Sequence, residues 1–422
     1  MDADLLEQII DQRLIVSAYQ PLVDLYSGDV LGYEALARGP EGPLARPDQL
    51  FAAAREHGRL FEVDRACRAA GVRGAQAAGL RAPTTLFLNI EPEAVDMSGG
   101  GATSELARIP GDMRLVIEVT ERALTSRPAD LLPLVEQLRR HGIGIALDDV
   151  GVDRRSLALM PFLRPDVIKL DLSLTQNRPS EEIAEVHNAV SAHAERTGAV
   201  IVAEGIENEH HLERARAMGA YIGQGWLFGR PGPLPSNLPD SRSSIPVFEP
   251  AMDDAETPFR SIEGRRDLRR GTKRLLLEIS RELERQASRL GDSAVLISTF
   301  QHARHFTASQ AALYGDLSRS LAFVGVLAEQ IPATPAAGVR GCNLTAEDPL
   351  VAEWDIVVVS PHFAAAFTAI DLGDSGPDME RRFDFQLTHD RGLALGAART
   401  LMSRIEPLET TISVDRRLAA VA

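Results

Sequence analysis

Short β-branched runs alternate with longer stretches of helical spacing from about residue 14 to 232. Eight runs read as strands: LIVSAYQPLV (14–23), DVLGYEAL (29–36), TLFLNI (85–90), RLVIEV (114–119), IGIALD (143–148), DVIKLD (166–171), AVIVAE (199–204) and AYIGQG (220–225). The segments between most of them end as helices end. PDQLFAAAREHG closes on glycine, and PADLLPLVEQLRRHG closes on basic residues and then glycine. EEIAEVHNAVSAHAERTG and ENEHHLERARAMG do the same. Eight strands alternating with helices predict an α/β barrel of the TIM type, with an open doubly wound sheet as the alternative. The absence of G-x-G-x-x-G after the first strand weighs against a dinucleotide-binding sheet.

The texture then changes. Residues 231–260, PGPLPSNLPDSRSSIPVFEPAMDDAETPFR, are rich in proline, serine and acid without a period, and read as a linker. RRDLRRGTKRLLLEISRELERQASRL follows as a charged helical stretch. Its Leu268, Leu275, Ile279 and Leu283 fall close to heptad spacing, as in a packing or dimerising helix. A second alternating region runs from about 293 to 405, with AVLISTF and DIVVVSP as buried strands and GLALGAARTLMSRI as a helix.

At 422 residues the chain has room for two domains, one of them a barrel. A net charge of -15 argues against a nucleic-acid partner, whose footprint would be basic. It leaves open a small anionic ligand, because a bound divalent cation inverts the local field. Two distant cysteines, Cys67 and Cys342, predict neither a disulfide framework nor a zinc–thiolate site. The acidic N-terminus lacks the order of a signal peptide, and no run has the length of a membrane helix. The expectation is a soluble cytoplasmic protein with no membrane partner.

The candidate chemistry lies at the strand ends. The second strand gives Glu34 with Arg38 beyond it, and the third gives Asn89. The fourth gives Glu118, followed by Glu121, and the fifth gives Asp148 and Asp149. The sixth gives Lys169 and Asp171, the seventh Glu204 and then Glu207, the eighth Gln224. One acid at a strand end is usually a helix cap or a solvated turn. Seven successive strands ending so are not explained that way, and glutamate caps poorly. In a barrel these ends converge on one mouth, where active sites of that fold sit. Carboxylates plus an amide, with neither His nor Cys, suit Mg²⁺ or Mn²⁺. The adjacent Asp148 and Asp149 would bridge two such cations, the arrangement of phosphoryl chemistry. Glu204 is placed to take a proton from water, Lys169 to orient water or screen a phosphate, and Arg38 to fork onto a phosphate.

These motifs resemble the EAL-domain cyclic di-GMP phosphodiesterases. EALAR (Glu34 to Arg38) gives the family its name, and LFLNI, VIEVTE, LDDVG, IKLD, VAEGIE and GQGWLFGRP follow in the family's order. The resemblance implies a TIM-like (β/α)8 barrel over residues 10–235 whose first strand is antiparallel, then a linker over 236–262. It implies hydrolysis of cyclic di-GMP to pGpG and a homodimer. Glu34, Asn89, Glu118 and Asp148 would hold one Mg²⁺ or Mn²⁺, and Asp148 with Asp149 the second. Lys169 would contact the attacking water, and Glu204 would be the general base. Arg38, Asp171, Glu207 and Gln224 would shape the nucleotide pocket, and Glu121 would anchor the loop after the fifth strand.

That loop departs from the family pattern. Active members read DDFGTGYSSL where this chain reads DDVGVDRRSL, so Val150, Val152 and Asp153 replace an aromatic, a threonine and a glycine. Retained but weak or regulated hydrolysis is expected. The alternatives are a non-catalytic cyclic di-GMP receptor and a scaffold acting through its C-terminal domain. Residues 263–408, with an N-terminal helix, resemble the smaller α/β DICT sensory domain in STFQHARHF, ALYGDLSRSLAFVGVLA, DPLVAEWDIVVVSPHFAAAF and RRFDFQLTHD. This implies signal input through an undefined ligand. His302 and His305 read as ordinary surface or core histidines rather than a metal pair, and Trp354 and Phe363 as core.

Overall fold

In the computed structural model the described residues are 2–91, 112–120, 128–239, 241, 243–248, 256–264 and 267–406. The eight apolar runs become β1 (Val16–Asp24), β2 (Val30–Arg38), β3 (Thr85–Asn89), β4 (Arg114–Thr120), β5 (Gly144–Val150), β6 (Val167–Leu170), β7 (Val200–Ala203) and β8 (Ile222–Gly223). They close into a barrel in sequence order. β1 runs antiparallel to both β2 and β8, and the other neighbours are parallel.

The barrel interior is filled from all eight strands. Leu22, Leu31, Phe87, Val116, Ala146, Val167, Val202 and Ile222 form one buried cluster, one residue per strand. A ninth member is Ile245, 1% exposed, from the segment read as a linker. That segment is fastened by its backbone. Arg114 Nη2 donates to the Ile245 carbonyl at 2.7 Å, and the Phe248 N–H donates to the Asp166 carboxylate. Asp166 also accepts from the Ile145 N–H at 2.7 Å and pairs with Arg139. Val247 lies so close to Gly144 that a Cβ there would stand 2.9 Å from its Cγ2, so a larger residue would have to push the segment or its own neighbours aside.

The second region forms a seven-stranded sheet in the order β12-β11-β10-β13-β14-β15-β9. Its strands are β9 (Arg269–Thr272), β10 (Val295–His302), β11 (Phe323–Glu329), β12 (Arg340–Leu344), β13 (Glu353–Val359), β14 (Ala364–Asp371) and β15 (Arg382–Thr388). The start of the charged stretch is therefore strand, not helix. Arg269–Thr272 adds to the sheet edge against β15, and the helix runs only over Lys273–Leu290. The proposed heptad seam holds only in part: of its members Leu283 is buried and Ile279 partly buried, while the other two are not. Leu276, Leu283 and Ala287 are buried against the sheet, whereas Leu268 and Leu275 are 53% and 51% exposed. Period alone did not distinguish the face that meets the sheet from its neighbour one residue away.

The two regions share a core. Helix Arg391–Met402 presents Ala394, Ala397, Ala398 and Leu401 to a cluster that includes Leu131, Leu132 and Leu159 of the barrel's outer helices. Its small residues let the helices approach closely. Arg399 pairs with Glu136 across this junction, and Arg196 Nη2 donates to the Pro361 carbonyl at 3.0 Å. Among the described residues no helix is long and apolar enough to cross a membrane.

Candidate active site

Lys169 is the centre of the site. It lies on β6, is 1% exposed, and points its ammonium at four carboxylates from four other segments. Nζ is 2.8 Å from Glu118 Oε1 and from Glu204 Oε1, 3.1 Å from Asp148 Oδ1 and 3.3 Å from Glu34 Oε2. One positive charge facing four carboxylates leaves an excess of three negative charges when all are ionised. Such an excess is costly in a buried place unless protons or cations offset it.

Glu34 is held from both sides by amides. Asn89 Nδ2 donates to Oε1 at 3.0 Å, and Gln224 Nε2 donates to Oε2 at 2.6 Å. Gln224 Nε2 also reaches Gln20 Oε1 at 3.1 Å. Sequence reasoning missed Gln20. It sits on the antiparallel strand directly opposite Glu34, and its one signal was a polar residue within the apolar run AYQPLV.

The adjacent aspartates are explained by a bulge. In a regular strand Asp148 and Asp149 would point to opposite faces. The register between β5 and β6 shifts between Leu147 and Val150, and Asp149 adopts a left-handed φ of 57°. This re-aims the second side chain. Carboxylate oxygens of Asp148, Asp149 and Glu204 lie within 4.8 Å of one another.

Protonation follows from burial and charge. Burial raises the Glu34 carboxyl, but Lys169 and the two amides outweigh it and hold it at about 2. Burial and then the Glu34 charge push Glu118 well above the ordinary glutamate value, against the pull of Lys169. Burial pushes Glu204 up to about 8, with Lys169 opposing and Asp148 and Glu34 adding to the rise. Burial and the Asp148 charge also raise Asp149. Lys169 is disfavoured by burial, yet its carboxylates raise it well above the ordinary lysine value. Without cations, near neutral pH, the site therefore holds a charged lysine, an ionised Glu34 and protons on Glu118 and Glu204.

The donor set fits hard divalent cations. It offers carboxylate oxygens and the Asn89 amide, and Glu118 Oε2 finds no hydrogen-bond donor among the described residues although it is fully buried. The remaining expected residues are less tightly drawn in. Asp171 caps the short helix Leu172–Gln176, accepting from the Ser173 N–H at 2.9 Å, while its charge reaches Asp149. Arg38 is partly exposed at the end of β2 and donates to its neighbour's carbonyl, Ala37 O, at 2.8 Å. Glu207 is exposed before helix Glu209–Ala217. Glu121 lies outside the described residues.

The altered loop is tied at several points. Val150 is fully buried, Val152 is 69% exposed, and Asp153 Oδ1 accepts from the Arg155 N–H at 2.9 Å. Arg154 pairs with Glu185 of the barrel and stands 3.6 Å from Asp292 of the second region. The histidines read as ordinary are engaged within that region. His302 faces Glu329, and His305 Nδ1 is 3.1 Å from the Phe300 carbonyl. Trp354 packs edge-on to Phe367 and Phe383.

Residues 2–231 match the family model of the EAL domain, and residues 264–371 match the DICT model, the "Sensory domain in DIguanylate Cyclases and Two-component system". Over 247 residues the chain is 31% identical to the cyclic di-GMP phosphodiesterase NbdA of Pseudomonas aeruginosa, covering 56% of this chain and 31% of that protein. Over 240 residues it is 31% identical to the cyclic di-GMP phosphodiesterase RocR of the same organism, covering 53% of this chain and 59% of that protein. The chain thus spans less than two thirds of either relative. A manganese/cy-diGMP complex of Klebsiella pneumoniae BlrP1 aligns with a TM-score of 0.47 at 26% identity, over 52% of this chain and 56% of that one.

Proposed function

The chain belongs to the EAL domain family, and from that premise we propose that it hydrolyses one phosphodiester bond of cyclic di-GMP to give linear pGpG. The observation that carries this reading is the ring of four carboxylates around Lys169, with Asn89 and Asp149 beside it, at one end of the barrel. Glu34, Asn89, Glu118 and Asp148 would hold one Mg²⁺ or Mn²⁺, and Asp148 with Asp149 a second. Bound there, the cations supply positive charge for the phosphodiester and make a nearby water more acidic. Glu204 then accepts the proton of the attacking water. Positive charge brought into the ring opposes the negative charges of Asp148 and Glu34 and frees the carboxylate for that role. Lys169 fixes the directions of Glu204 and Asp148 and positions the water between them. Gln20 and Gln224 hold Glu34 in place. Asp171, Glu207 and Arg38 border the nucleotide. The C-terminal region regulates the barrel, a reading supported by its match to a sensory domain and by Arg154 reaching Asp292 from the loop that follows the paired aspartates.

The test is incubation of the purified chain with cyclic di-GMP in Mg²⁺ or Mn²⁺, with chromatography of the products. Formation of pGpG is expected, and its loss in Glu34→Ala. Binding of cyclic di-GMP without pGpG under either metal would replace this reading with that of a receptor.

A further inference from the structure

We propose that the cleft between the barrel's outer helices and helix Arg391–Met402 binds an organic phosphate, at a site separate from the carboxylate ring. The cleft encloses about 800 Å³, within the range of small-molecule sites. Its walls come from both regions of the chain.

Its charge is opposite to that of the protein. The chain carries a net charge of -15, yet among the described residues six arginines line this cleft against two glutamates. Both glutamates are already engaged, Glu136 with Arg399 and Glu256 with Arg260. Arg404 pairs with Asp348. Arg140, Arg164 and Arg391 have no carboxylate partner among the described residues, and Arg196 feels only the charge of its neighbour Glu195. Cations gathered without counter-charge repel one another, and an anion relieves this. Guanidinium forks suit phosphate oxygens.

Two nitrogens of the wall are unsatisfied. His193 is 2% exposed and its Nε2 has no hydrogen-bond partner among the described residues. Arg391 donates through Nη1 to the Ser360 carbonyl at 2.8 Å, while its buried Nη2 has no partner. Buried polar nitrogens left so are uncommon and costly. The local potential points the same way. Burial, then the charges of Arg196, Arg391 and Arg164, press the His193 imidazole down to about 3. His193 and Arg196 from one helix, Arg164 from the end of a second and Arg391 from a third therefore converge on one space. Leu132, Pro133, Pro161 and Leu395 supply an apolar surface for the body of the ligand.

The experiment is calorimetric titration of the full chain with pyrophosphate and with ATP, in EDTA. Under that condition the carboxylate ring lacks cations and repels both probes. Saturable binding at one site per chain is expected, with ATP binding at least as tightly as pyrophosphate. Arg391→Gln should weaken both about tenfold or more, the loss of a charge-assisted bond. Arg164→Gln serves as the second variant, because its side chain makes no hydrogen bond or ion pair among the described residues whose loss could loosen the fold. It should weaken binding in the same direction while leaving pGpG formation unchanged. Absence of saturable heat with either probe at millimolar concentration overturns the proposal. So does binding that is indifferent to both substitutions, or exclusion of ATP where pyrophosphate binds.

Discussion

Replacing Lys169 with methionine removes the one positive charge among the described residues that faces Glu34, Glu118, Asp148 and Glu204. Methionine keeps much of the length and the apolar stem, so packing changes little. The electrostatic change is large, because removing one partner of a buried ion pair typically costs about 3–5 kcal/mol. For a domain of this size that corresponds to a fall of roughly 6–20 °C in the barrel's melting temperature. The fall should be greatest at high pH, where the carboxylates are ionised, and should shrink on acidification as protons replace the lost charge. A divalent cation does the same work as the ammonium. Mn²⁺ should therefore raise the melting temperature more in Lys169→Met than in the wild type. Hydrolysis should nevertheless stay lost at saturating Mn²⁺ if the lysine also positions the water, as proposed above. Thermal denaturation with and without Mn²⁺, paired with product chromatography, measures both halves. A variant that melts like the wild type in EDTA, or gains no more than the wild type from Mn²⁺, would refute the charge argument. A variant that forms pGpG at the normal rate would refute the positioning role.

Three further outcomes are expected. Glu204→Gln keeps the shape of the site and removes its proton acceptor, so turnover should fall by about 10²–10⁴ while cyclic di-GMP binding persists, as equilibrium dialysis can check. Affinity for Mn²⁺ should climb as pH rises toward and past 8, since Glu204, held at about 8 without cations, must give up its proton; calorimetry showing no pH dependence between 6 and about 9 would contradict this. The buried His193 has a folded value of about 3 against an ordinary 6.5. Its neutral form is favoured in the fold, so stability is fully present above 6.5 and is lost as pH falls toward 3. Urea unfolding at about pH 7 and 4 should show that His193→Gln shrinks the acid-induced loss by roughly 3 kcal/mol.

The strand ends were legible because parallel strands buried in a barrel must be apolar until they reach the mouth, so the first polar residue marks the site. Glu34, Asn89, Glu118, Asp148 and Lys169 stood out for that reason. Strand direction leaves no trace in such a run, and the antiparallel course of β1 was implied only by the family resemblance. Gln20 was hidden by the same fact, since its role depends on pairing with Glu34 in an antiparallel register. The bulge at Asp149 was also out of reach, because a left-handed backbone at a non-glycine residue has no compositional mark. Helix Lys273–Leu290 misled in register. Leu275 and Leu276 are neighbours, and which of them meets the sheet depends on β9 preceding the helix rather than continuing it. The junction of the two regions was invisible for a related reason. Arg391–Met402 could be read as a helix, but nothing in its sequence names the barrel helices that cover its alanines.

Ile245 gives the barrel a floor made from chain that has already left it. A fragment cut near residue 235 would keep every strand and every residue of the carboxylate ring, yet would uncover Phe87, Val116 and the other members of the one-per-strand cluster. It would lose about 1.5–3 kcal/mol from the isoleucine alone, and Asp166 would lose the Phe248 N–H. The place to divide the molecule for separate study is therefore after Phe248. A comparison of the isolated barrel with the full chain made at an earlier cut would mistake a leaking floor for an absent regulator.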